Sequence, residues 1–326
     1  MKNYRLIYIS LFLLILVIFG FFIGVLFGPT NLSFTDLNDA IFSKGNSPQS
    51  TIVWDIRMPR IFIAITIGAL LALSGSIIQV TTRNPLGDPQ LFGITGGALI
   101  VNALVISGKI NLDPWIEITL GVLASIIGAI IIYFCASRED LKISTLAIIG
   151  FSLGAMCVAI STGIMAYSRV FTQQALSVIG GSTANLNWDL LYNLLPFMFI
   201  GILIVLFIIN KFDILILGDQ ISKNLGVDSK KTRLIALIAA AIMSGSSVGI
   251  VGSIGLLGLI TPHITRIIIG NNIRKIMIYS LPVGGLIMLY SDQISRLIFM
   301  PNEVPVGLVI TILGAPIMMY LSWRYL

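Results

Sequence analysis

The chain has 326 residues, of which 56% are hydrophobic and only 10% charged, with a formal net charge of +6. Soluble domains carry about 25% charged residues, so this composition excludes an ordinary soluble fold. The apolar runs are long and do not alternate. Backbone polar groups in lipid must be satisfied internally, so such runs indicate membrane-spanning helices rather than a barrel.

Each span needs about 20 apolar residues. Ten are expected, at 6–28, 61–82, 91–107, 116–136, 143–165, 189–210, 234–249, 252–269, 276–298 and 304–323. Lys2 and Arg5 precede the first. Its apolar run is longer than a signal-peptide core and no small-x-small cleavage site follows, so it is read as a span. Arg57 and Arg60 stand three apart at the expected outer end of the second span. Helical spacing lets both face one way, and guanidinium forks suit carboxylates. The alternative is that they snorkel, or pair with Asp55 and Asp292. Pro85 lacks an N–H and biases Asn84 away from the helical region, so the second span ends in a turn at Asn84, Pro85 and Leu86. Cys135 and Cys157 lie in or beside apolar spans and read as small core residues.

Residues 211–233 are polar and charged in the middle of an apolar chain. Leu217, Ile221 and Leu225 recur every four residues, so one helical face is apolar. Asp219 is expected to cap that helix, and Gly226 sits where a C-terminal glycine belongs. The short helix either docks a partner or lies on lipid headgroups. Residues 234–269 form one apolar block, too long for a single span at about 1.5 Å per residue. The Gly/Ser run Gly245–Gly255 is the expected turn, and its small residues also allow close helix contact, as do Gly93, Gly96 and Gly97.

With the N-terminus inside, fourteen of the twenty Lys and Arg residues fall on the cytoplasmic side. This is the bias of the positive-inside rule, and it accounts for the net charge without nucleic acid. Both termini are then cytoplasmic. Catalytic chemistry is sparse. There is no G-x-x-x-x-G-K-[ST] loop for ATP, no cluster with metal-ligand spacing, and a single histidine, His263, beside a proline. Asp292 is the one real candidate for a midplane carboxylate of the kind proton-coupled carriers need. The chain offers a pathway without an energy source, which points to a partner on the inner face.

Several motifs then combine in order. They are Ile56-Arg57-Met58-Pro59-Arg60, then Asn84-Pro85-Leu86-Gly87-Asp88-Pro89 followed by Phe92-Gly93-Ile94-Thr95-Gly96-Gly97-Ala98. Leu217-Gly218-Asp219 and Leu225-Gly226-Val227 follow, then Gly255-Leu256-Leu257-Gly258-Leu259-Ile260-Thr261-Pro262-His263-Ile264-Thr265-Arg266. Val304-Pro305-Val306-Gly307 and Leu313-Gly314-Ala315-Pro316 complete the set. From about residue 30 to 323 the chain resembles the permease (FecCD-type) family of ATP-binding-cassette importers for iron-siderophores, haem and vitamin B12. Gly87 in place of alanine, and Asn271-Asn272 before Arg274, are mild departures.

The resemblance implies an all-α polytopic membrane protein with the type II importer permease architecture, one transmembrane domain over 1–326. It implies a second permease chain, identical or homologous, a cytoplasmic ABC ATPase dimer, and an extracytoplasmic substrate-binding protein. ATP and Mg would sit on the ATPase, with no cofactor on this chain. Arg57, Arg60 and Arg296 would receive the binding protein. Leu217, Gly218, Asp219, Ile221, Leu225 and Gly226 would couple to the ATPase. Asn84, Pro85, Leu86 and Ser144 would close the cytoplasmic end. The expected cargo is chelated iron, as an iron-siderophore, with haem and vitamin B12 as alternatives. The rival of a different class is an ion-coupled secondary carrier.

Overall fold

The computed structural model describes residues 2–30, 32–42, 47–136, 143–300 and 302–325, and no strand occurs among them. The helices are α1 (Lys2–Leu26), α2 (Phe34–Phe42), α3 (Pro48–Thr51), α4 (Met58–Thr82), α5 (Gly96–Ile106), α6 (Pro114–Ala136) and α7 (Ile143–Tyr167). They continue as α8 (Thr172–Gly180), α9 (Trp188–Leu215), α10 (Asp219–Asn224), α11 (Ser229–Val251), α12 (Leu257–Ile269), α13 (Ile273–Leu297) and α14 (Val306–Tyr325). A π-helical turn, Ile52–Arg57, joins α3 to α4. Seven membrane-length apolar helices are present among the described residues, together with shorter apolar ones at α5, α12 and Val306–Tyr320 of α14.

The ten expected spans each carry one of these helices, with two revisions. The third is helical only from Gly96 onward. Between α4 and α5 the chain makes consecutive turns, with Asp88, Phe92, Ile94 and Thr95 all buried. Irregular backbone at membrane depth persists only where protein covers it. Asp88 satisfies part of it, its Oδ1 accepting from the amides of Gln90 (2.9 Å) and Leu91 (3.1 Å). The second revision concerns the Gly/Ser run. α11 continues through Gly245 and Gly249 to Val251, and the chain turns only at Gly252–Leu256. A Cβ on Gly245 would fall 2.6 Å from the Ser125 hydroxyl of α6, so this glycine serves packing, not turning.

α4 forms the centre, packing most extensively on α13, α11 and α12. Of the spans containing α4 and α11, 78% is buried, against 28% for α1 and 22% for α7. Backbone meets backbone here: a Cβ on Gly68 would strike the Gly284 carbonyl of α13, and one on Gly75 the Gly258 carbonyl of α12. Ser74 of α4 donates to the Ala240 carbonyl of α11 at 3.0 Å. Small residues at such contacts let helices approach where lipid offers no hydrophobic driving force.

Following the charge bias, the end carrying α10 is termed inner. At the outer end, α2, α3 and α8 fill loops that the hydropathy pattern leaves unassigned. The segment after α8 stitches that end together by backbone bonds. Ser182 N–H donates to Val251 (2.7 Å), Ser253 N–H to Val178 (2.8 Å), and Val306 N–H to Gly181 (2.9 Å).

Candidate functional site

The three arginines are all buried, 3%, 4% and 3% exposed for Arg57, Arg60 and Arg296. Arg57, on the last residue of the π-helical turn, donates to the backbone carbonyls of Val25 and Thr30, pinning the end of α1. Arg60 is the centre of a cluster. Its Nε lies 2.9 Å from Asp292 Oδ1, Nη1 2.9 Å from Glu303 Oε1, and Nη2 3.1 Å from Thr183 Oγ1. Thr183 also donates to Asp292 Oδ1 at 2.5 Å. Arg296, one turn from Asp292 on α13, has its Nε 3.4 Å from Asp292 Oδ2. The helices therefore do bring Arg60 and Arg296 together, around an internal carboxylate. All three guanidiniums are thus turned inward in this chain, none of them exposed at the outer surface. Burying a guanidinium costs several kcal/mol unless it is paired. Arg60 is paired with two carboxylates, Arg57 meets backbone carbonyls instead, and Arg296 keeps Nη2 without a hydrogen-bond partner among the described residues. Glu303 is the member of the cluster that reaches solvent, its side chain 28% exposed.

At the inner end, Arg83 ends α4 with φ 51°, in the left-handed region. Asn84 N–H reaches back to Gln79 O (3.1 Å), and Asn84 Oδ1 accepts from Leu86 N–H (2.9 Å), forming an Asx turn. Pro85 offers its carbonyl to His263 Nε2 at 2.8 Å, so the lone imidazole fastens this turn to α12. The same turn borders a cavity of about 550 Å³ lined by Gln79, Arg83, Pro85, Pro262 and Arg266. Leu86 is exposed. Ser144 is the second residue of α7, but its side chain lies outside the described residues.

The loop from 211 to 233 folds around α10. Gly218, at φ 109°, precedes the helix, and Asp219 is its first residue instead of its cap. The Asp219 carboxylate is drawn elsewhere, to Arg83 Nη2 at 2.9 Å and Arg233 Nη2 at 2.6 Å. It thereby ties α10 to the ends of both α4 and α11. Ser222 is buried with its hydroxyl near the carbonyls of Gly218 (2.7 Å) and Ile214 (3.0 Å). At the other end Gly226 N–H donates to Lys223 O (3.0 Å) and Val227 N–H to Ser222 O (2.9 Å). This is the Schellman pattern, and Gly226 takes the left-handed conformation it requires, φ 76°. The result is one rigid turn that displays Leu217, Ile221 and Leu225, exposed by 53%, 48% and 56%. α11 then starts behind Asp228, whose Oδ1 accepts from Lys231 N–H at 3.0 Å. That hydrogen bond holds the Asp228 carboxyl below the ordinary carboxylate range.

Sequence reasoning gave no site role to Arg83 or Asp88, and expected Arg233 only to help hold the loop at the anionic inner leaflet. Arg83 and Arg233 flank an acidic residue whose partners are 136 and 14 positions away. Asp88 has the clearer signal, an acidic residue between a proline turn and a long apolar run.

A bundle of apolar helices with half-length members, a buried charge cluster at one end and a displayed apolar turn at the other defines a multi-pass transport permease. The sequence pattern of the FecCD transport family matches residues 15–324, and the chain belongs to that family. It is 31% identical to the Fe(3+)-citrate import system permease protein YfmD of Bacillus subtilis, covering 95% of this chain and 92% of that one. It is 30% identical to the iron(3+)-hydroxamate import system permease protein FhuG of the same organism, covering 96% and 95%. A solved chain described as an inward-facing metal-chelate type ABC transporter superposes with a TM-score of 0.82 at 26% identity, covering 97% and 99%.

Proposed function

We propose that this chain is the membrane-spanning subunit of an ATP-driven importer that moves an iron-siderophore complex across the bacterial cytoplasmic membrane. The observation that carries the reading is the α10 turn. Three large apolar side chains stand exposed on and beside a short helix whose ends are both fixed, by Asp219 at one and Gly226 at the other. A cytoplasmic ATPase, binding ATP and Mg, grips that face and passes its closure to α4 and α11. Relatives named for ferric citrate and ferric hydroxamate support a chelated-iron cargo. The ion-coupled rival is disfavoured because Asp292 is already neutralised by Arg60 and Arg296. The Asn84–Leu86 turn acts at the cytoplasmic gate, beside the inner cavity. The binding protein meets outer loops whose shape Arg57, Arg60 and Arg296 hold from within, with a second permease chain completing the pathway.

Leu225→Asp puts a charge on the gripped face without touching the packed interior. The expected result is normal expression and melting, with loss of ATPase co-purification and of ferric-siderophore uptake. Full uptake by this variant overturns the coupling assignment. Orientation is tested separately. Ser47→Cys or Asn111→Cys should react with an impermeant thiol reagent on whole cells, and Ser229→Cys only after permeabilisation.

A further inference from the structure

α1 and α13 line a groove toward the N-terminal half of α1. Toward the outer end they touch closely. A Cβ on Gly20 would come 2.7 Å from Leu289 Cδ2, and one on Gly24 3.1 Å from Gln293 Nε2. Gln293 Nε2 donates to the Gly20 carbonyl (2.5 Å) and Tyr290 Oη to that of Leu16 (2.9 Å). Toward the N-terminus the glycines give way to Tyr4, Tyr8 and Phe12, and the helices part. Two contacts bridge the gap there: Ser10 Oγ with Tyr279 Oη (3.0 Å), and Arg5 Nη2 donating to the Ile268 carbonyl at the end of α12 (3.2 Å). The opening is a groove of about 790 Å³, apolar along its length with Arg5 and Tyr4 at one end.

From this groove we infer that the chain binds one anionic phospholipid of the inner leaflet, with an acyl chain lying between α1 and α13 and the phosphate at Arg5. The length fits. Its lining runs from Tyr4 to Leu16 along α1, about 18 Å at 1.5 Å per residue, against roughly 15 Å for half the hydrocarbon core. The chemistry at the mouth fits as well. Arg5 spends one donor on Ile268, and a guanidinium fork has several more for a phosphate. Tyrosines favour the headgroup level. The floor is the buried cluster of Leu13, Val283 and Leu286, which offers an acyl chain only carbon. Assignment to the inner leaflet rests on the orientation proposed above; retention of the lipid does not, so the two fail separately.

The test is native mass spectrometry of the full-length chain, with its co-purifying subunits, taken from nanodiscs of equal phosphatidylglycerol and phosphatidylcholine. The expected result is one retained phosphatidylglycerol per chain. One cation near the surface is worth about 1 kcal/mol, or roughly fivefold. Arg5→Gln should therefore lower the preference about fivefold, Arg5→Lys should keep most of it, and Ile9→Trp should lower retention of both lipids by obstructing the groove. Equal retention of the two lipids by the unaltered chain overturns the proposal without any variant. So does unchanged retention in Ile9→Trp. A disulfide between two copies of Tyr8→Cys would assign the groove to a second chain and equally overturn it.

Discussion

The Arg60–Asp292 and Arg83–Asp219 pairs have the same N···O separation, 2.9 Å, and sit at opposite ends of α4. Their surroundings differ completely. The outer pair is enclosed, with side chains 5% and 0% exposed, while the inner pair is open, at 33% and 54%. Equal geometry does not give equal energy. An exposed pair is screened by water and contributes little. A buried pair has already given up hydration, so the loss of one partner strands the other. The outer end therefore uses charge to hold its shape. The inner end uses charge only to aim a displayed apolar face.

The sharpest way to break this comparison is to remove one carboxylate from each end. Asp292→Ala leaves Arg60 and Arg296 without their shared counter-charge, with an expected loss of about 3–5 kcal/mol. This should be visible as a large fall in the melting temperature of the purified chain in detergent. Reversal of Arg57 and Arg60 to glutamate should abolish expression for the same reason, so it cannot report on docking alone. Melting of Asp292→Ala within a degree or two of the unaltered chain would refute the buried-cluster account.

A smaller effect is expected at Gly226. Valine there pays about 1–2 kcal/mol for the left-handed conformation, which should be relieved by local loosening of the turn instead of global unfolding. The check is hydrogen exchange: the Val227 amide should lose protection while amides in α4 keep theirs. ATPase-coupled uptake should fall with it. Asp219→Ala comes next. An exposed pair contributes about 0.2–1 kcal/mol, so melting should barely move, although α10 loses its ties to α4 and α11. A large destabilisation would mean that the two ends are built alike.

The smallest effect is a pH response. The Asp228 carboxyl is held below its usual range by the Lys231 amide. Its contribution is therefore present above the unfolded carboxylate pKa, about 3.9. It is lost as pH falls through the lower folded value. Exchange at the first amides of α11 should rise only below about pH 4, and Asp228→Asn should flatten that rise.

Hydropathy carries the spans because burial in lipid and burial in protein select the same residues. It cannot say whether an apolar run is helix or enclosed turn, which is why residues 91–95 were legible as apolar but not as irregular. The four-residue period of Leu217, Ile221 and Leu225 and the glycine at 226 are local signals; the structure places Ile221 in α10, with Leu217 just before it and Leu225 and Gly226 at its C-terminal end. Asp219 looked like a cap because position alone gives that role to an acidic residue before a helix. Its partner Arg83 is 136 residues away, and no local pattern encodes such a contact. The same holds for Arg60 and Asp292, separated by 232 residues. Their pairing was legible as one of two options, and only the packing of α4 on α13 decides for it.

α4 itself has a mechanical consequence. It spans 25 residues, or about 37 Å, with Arg83 at one extremity and Arg60 near the other. Between them Gly68 and Gly75 hold its backbone against α13 and α12, where no side chain could be interposed. Such a strut has little compliance along its axis. A displacement of α10 delivered through Asp219 would arrive at Arg60 almost undiminished, and would load the Asp292 cluster directly. The slack for any stroke must then lie in the less buried α1, α7 and α9.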